Sequence, residues 1–176
     1  MLALSALLAV TAAAAAGTSD VGPWKVVVNE DRVLVSQEAD TSWPGGAPRL
    51  VLRCTVEVQR GELKFVKHTA RIKEAYLFYG AGFPADQGSL LASFEGEPKP
   101  RSYWGAPSQD GKSLFVSGTL TRGGPDAFIR AMLQHARMTL AVKLRKKDAL
   151  PDLAFDLARR DDALAQWQEK CPIKEK

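Results

Sequence analysis

Leu50-Val51-Leu52-Arg53-Cys54-Thr55-Val56-Glu57-Val58-Gln59-Arg60 is the stretch that decides the fold. Leu50, Leu52, Cys54, Val56 and Val58 share one side, and Arg53, Thr55, Glu57 and Gln59 share the other. Successive side chains of a strand project to opposite faces, so a period of two is a strand period. One apolar face and one polar face mark an antiparallel strand that is covered on one side only. Cys54 belongs to the apolar set and is expected to point inward.

Working outward, the same period recurs on both sides. Trp24–Val28 and residues 32–36 flank the polar Asn29-Glu30-Asp31 and read as a hairpin. Arg60-Gly61-Glu62 reads as a turn into a strand at 63–67, and residues 75–79, 90–94 and 114–120 are further short strands. Trp43-Pro44-Gly45-Gly46, Gly80-Ala81-Gly82-Phe83-Pro84, Glu97-Pro98-Lys99-Pro100 and Asp110-Gly111 separate them as loops or turns. Tyr103 and Trp104 fall in loop-like sequence.

After residue 120 the period changes. Gly123-Gly124-Pro125-Asp126 opens a helix, with Pro125 in the first turn and Asp126 at the positive end of the helix dipole. Phe128, Ile129, Met132, Leu133 and Ala136 follow at helical spacing. Residues 139–145 alternate again, and Leu153, Phe155 and Leu157 form a partner strand. Asp161 or Asp162 caps a last helix on which Leu164, Trp167 and Cys171 share a face. The expected fold is a β-rich α+β domain, an antiparallel sandwich-like sheet with two helices in the C-terminal third.

Composition narrows the chemistry. The 176 residues are 45% hydrophobic and 25% charged, with 14 Gly and 10 Pro, values of a globular chain. Residues 1–16 carry no charged side chain and join a short apolar run to Ala14-Ala15-Ala16, the pattern of a cleaved signal peptide. Residues 17–176 are then one exported domain, periplasmic or secreted, with no membrane span. In an oxidising compartment Cys54 and Cys171, both on inward positions of separately assigned elements, are expected to form a disulfide. A bridge over a loop of that size is worth about 4–5 kcal/mol in the chain-entropy model.

No GxSxG, HExxH, GxGxxG or GxxxxGK[ST] pattern occurs. His68 lies among cations, which repel a metal ion, and His135 reads as a helix-surface residue. Glycoside hydrolysis needs two carboxylates flanking a cleft; Asp161-Asp162 and Asp152/Asp156 are the nearest pairs, and Glu74 with Glu95 a spatial possibility. A hydrolase of the envelope is therefore an alternative reading, as is a small-ligand carrier. No catalytic residue, metal or cofactor is assigned.

The net charge is +4. Lys64, Lys67, His68, Arg71 and Lys73 form one basic group, and Lys143, Arg145, Lys146 and Lys147 another. Such surfaces attract anions, here an envelope protein or an anionic envelope component rather than nucleic acid. Lys64, Lys67 and Lys73, with Trp43, Tyr103 and Trp104, make the candidate binding surface.

Several of these features occur in one order: Trp24, Pro48-Arg49-Leu50-Val51-Leu52-Arg53-Cys54, the aromatic strand 76–79, Tyr103-Trp104 before Asp110-Gly111, and the helix at 128–133. Phe155-Asp156-Leu157, Ala163-Leu164 and Cys171 close the series. The arrangement resembles the VasI/TagO family of exported proteins associated with bacterial type VI secretion, and related periplasmic proteins. The resemblance implies an exported accessory protein and carries over no catalytic residue. A Gly usual between the Phe-x-Leu strand and the last helix is absent here, where Arg159-Arg160 stand.

Overall fold

The computed structural model describes residues 16–60, 67–83, 88–117, 124–144 and 150–173. The strands are β1 (Gly17–Val21), β2 (Trp24–Val28), β3 (Arg32–Glu38), β4 (Arg49–Arg60), β5 (Lys67–Phe78), β6 (Gly88–Phe94), β7 (Arg101–Pro107) and β8 (Ser113–Ser117). Helix α1 (Gly124–Gln134), β9 (Arg137–Leu144), β10 (Leu153–Asp156) and α2 (Arg160–Lys170) complete the order. All ten described strands belong to one sheet, in the order β1-β2-β3-β4-β5-β8-β7-β6-β9-β10. Every neighbouring pair is antiparallel. The expected antiparallel α+β fold with two late helices is what forms. Residues 61–62 of the expected turn, 63–66 of the expected 63–67 strand and 118–120 of the 114–120 strand lie outside the described residues, as do residues 1–15 of the expected leader; Arg60 ends β4 and Lys67 opens β5.

A sheet this wide curls rather than staying open. Its last strand meets the β3–β4 connection, where the Asp40 backbone N–H donates to Ala154 O at 3.0 Å and Trp43 Nε1 donates to Pro151 O at 3.0 Å. Inside the curl lie the alternate residues of each strand: Val33 and Val35, Leu50, Leu52 and Cys54, Ala75 and Leu77, Leu90 and Ala92, Leu140 and Val142, all buried. Phe128, Ile129 and Met132 of α1 and Leu164 and Trp167 of α2 complete a single core cluster.

Sulfur and hydrogen bonds hold α2 in place. Cys54 of β4 and Cys171, just past α2, are joined by a disulfide across 117 positions, with Cα atoms 5.9 Å apart, a separation usual for a bridge. Lys170 Nζ donates to Asn29 O at 2.8 Å, and Arg71 Nε donates to Lys170 O at 2.9 Å. At the other end Arg160 donates to Leu133 O from Nε and Nη2, at 3.0 and 2.9 Å, tying α2 to the end of α1.

Two expectations are corrected here. Tyr103 and Trp104 are not in a loop: they sit on β7, a strand placed between β8 and β6. Its Gly105 sits against the core residue Leu114, whose Cγ would lie 2.9 Å from an added Cβ, so this strand needs a position without a side chain. Neither Asp161 nor Asp162 is the cap of α2. Arg159 precedes the helix with no capping side chain, and the two acids lie in the first turn, where the dipole favours them.

Candidate functional site: the outer face of the sheet

Alternation sends one set of side chains into the core and the other to the outside. On the outside, register aligns Val51 with Tyr76, Tyr76 with Phe115, and Phe115 with Ala106, one row across four strands. The Tyr76 and Phe115 rings lie 4.9 Å apart, tilted by 46°, a geometry favourable to aromatic pairs. Arg53 places its guanidinium 5.7 Å from the Tyr76 ring centroid, within cation–π range. Arg53 also pairs with Glu74, its cross-strand partner. Burial pushes the Tyr76 hydroxyl above the usual phenol range.

Around this row the face is a mixture of exposed apolar groups and paired charges. Phe78 and Ile72, at 38% each, are the large hydrophobic residues that the described chain exposes. Arg49 Nη2 and Glu38 Oε1 pair at 2.6 Å beside Phe78. Trp104 is half-buried on β7, opposite Ser89 and Ser117 on its neighbours. The arrangement presents flat rings ringed by arginine–carboxylate pairs. Among the described residues there is no group of three or more His, Cys, Asp or Glu side chains that could hold a metal ion.

The residues singled out in the sequence are distributed differently from expectation. Trp43 is 3% exposed and Tyr103 2%, so neither presents a binding surface. Trp43 packs edge-on against Tyr79 and Phe83, with centroids 5.2 and 6.1 Å away, and Tyr103 packs edge-on against Phe128 of α1 at 5.1 Å. Lys73 lies opposite Cys54, on the helix-covered side. Its Nζ pairs with Asp126 at 2.7 Å and donates to Pro172 O at 3.0 Å, which makes it a tie between β5, α1 and the tail. Lys64 lies outside the described residues; Lys67 and His68 are on β5, with side chains outside the description. Of the aromatics proposed for recognition, Trp104 alone reaches the outer face.

What the sequence missed are Tyr76, Phe78 and Phe115, whose parity against Leu77 and Leu114 already placed them outside. It also missed the surroundings of His135. That ring is stacked on Phe94 at 5.0 Å, its Nδ1 lies 3.0 Å from Glu95 O, and its Nε2 lies 3.0 Å from Glu97 Oε1. Arg101, pairing with the same carboxylate, is the main reason Glu97 is held below the usual carboxylate range. Glu74, weighed beside Glu95 as a catalytic pair, is taken up by Arg53. No helix of the described residues is long and apolar enough to cross a membrane. Comparison with family models, with curated proteins and with solved structures returns no match.

Proposed function

We propose that this protein is an exported, non-enzymatic contact protein of the bacterial cell envelope, of the accessory kind that its resemblance to the VasI/TagO family implies for type VI secretion. The observation that carries the reading is the buried Cys54–Cys171 bond, with both cysteines 0% exposed. A structural disulfide between an early strand and the chain's end belongs to oxidising compartments. The leader-like residues 1–16 are consistent with the same destination. The contact itself is assigned to the outer face, where Tyr76, Phe78, Phe115 and Trp104 supply area and Arg49 and Arg53 supply charge for an envelope protein or an anionic envelope component.

The test compares the wild-type protein with a Phe78→Glu/Trp104→Ala double variant as bait for purified envelope fractions. The reading expects a saturable partner that the double variant retains at most weakly, at an unchanged melting temperature. Equal capture by both baits would remove the outer face from the function.

A further inference from the structure

Residues 95–100 turn the chain from β6 into β7, and Glu97 alone among them is not exposed. Its carboxylate turns back onto two side chains. Arg101 of β7 donates to Oε2 from Nε at 2.9 Å and to Oε1 from Nη2, and His135, just past α1, has its Nε2 3.0 Å from Oε1. The other ring nitrogen, Nδ1, lies 3.0 Å from the Glu95 carbonyl oxygen of the same turn. Both partners of the ring are acceptors. A carbonyl has no proton to give, and Glu97 is held below the usual carboxylate range, first by the Arg101 hydrogen bond, so it has none either. Neutral imidazole carries one N–H and imidazolium two. Only the doubly protonated ring makes both bonds; the neutral ring sets a lone pair against an oxygen on one side.

The corner is placed to respond to that difference. The ring is stacked on Phe94, and the His135 and Glu97 side chains are only 16% and 19% exposed, so water has little room to replace a lost contact. Backbone bonds hold the turn at few points: Glu95 N–H donates to Arg137 O at 3.2 Å and Glu97 N–H to Phe94 O at 3.1 Å. The negative end of the α1 dipole favours a cation here. Arg101, with its guanidinium 5.5 Å from the Phe94 centroid, opposes one. The remaining charges around the corner are the exposed Glu95, Arg137 of β9 with its cross-strand neighbour Asp156 of β10, and Arg160 of α2, which donates to Leu133 O and Leu157 O. On α1 itself Arg130 is the nearest charged residue in sequence. We propose that His135 latches the β6–β7 turn to the end of α1 only while its ring carries both protons, so that the turn is released as pH rises through the titration of that ring. The proposal is independent of the outer face and of export.

The test follows the His135 ring nitrogens and the protection of the Glu95 and Glu97 backbone amides by NMR, from about pH 5 to about pH 9, a span that contains ordinary histidine titration. The expected result is a ring with two N–H protons at the acid end and one at the alkaline end. Over the same pH interval the protection factors, corrected for the intrinsic pH dependence of exchange, fall about tenfold, the effect of one lost hydrogen bond. In His135→Gln and in Glu97→Gln they stay level, since a carboxamide offers either an oxygen or an N–H and does not titrate. A ring that keeps one form throughout overturns the proposal, and so does wild-type protection that ignores the ring titration. An equal fall in both variants overturns it too, because the cause would then lie elsewhere, as with His68, which the variants retain.

Discussion

Two single positions show how local geometry constrains this chain. Gly105 lies in a central strand, where glycine is normally unfavourable, because Leu114 Cγ occupies the space of its missing Cβ. Gly105→Ala should therefore cost about 1–3 kcal/mol by overpacking, read as a lower urea midpoint; an unchanged midpoint would mean that Leu114 moves aside freely. Arg159, with φ 56° and ψ 19°, is the one non-glycine residue with positive φ among those described. Its backbone adopts the conformation that glycine enters without penalty. Arg159→Gly should be more stable than Arg159→Ala by about 1 kcal/mol, the cost of a Cβ in the left-handed region. The reverse order, normal within helices, would contradict the backbone account. The sequence carries no clue to Gly105, whose constraint comes from a residue on another strand.

At the scale of elements, strands with strict alternation were legible, and β4 with Cys54 facing inward was the clearest. β7 was not, since Tyr103-Trp104-Gly105-Ala106-Pro107 mixes large rings with residues that usually break strands; its pairing on both sides overrides that composition. His135 was misread for a related reason: it lies just past α1, and its partners are in the β6–β7 turn. The β7–β8 turn is simpler. Asp110 accepts from the Ser108 hydroxyl and, at 3.0 Å, from the Lys112 backbone N–H. These bonds, that from Ser108 foremost, hold its carboxyl below the usual range. A pKa lower in the folded chain than in the unfolded one means that the turn is supported at all pH values above the unfolded value and loosens as pH falls through the folded one. NMR titration should place the Asp110 midpoint below the ordinary value of about 3.9, with the Lys112 amide following it. A midpoint at or above that value would show that the turn does not depend on the carboxylate.

The molecule as a whole is a curled sheet whose end is fastened to its beginning. Inward positions of Cys54 and Cys171 made the bond legible before any geometry, because the two cysteines of a chain expected in an oxidising compartment both face one core. The binding surface was less legible. Large aromatics in apparent loops drew attention to Trp43 and Tyr103, which the core absorbs, while Phe115 read as an ordinary strand residue until cross-strand register set it beside Tyr76. The account rests on the protein being oxidised in place, outside the cytosol. Intact mass spectrometry of protein recovered from the native cell envelope, alkylated without prior reduction, tests this directly. The account predicts a chain beginning at Gly17 that takes up no alkyl group until it is both denatured and reduced. A chain retaining residues 1–16 and carrying alkyl groups on Cys54 and Cys171 would contradict it.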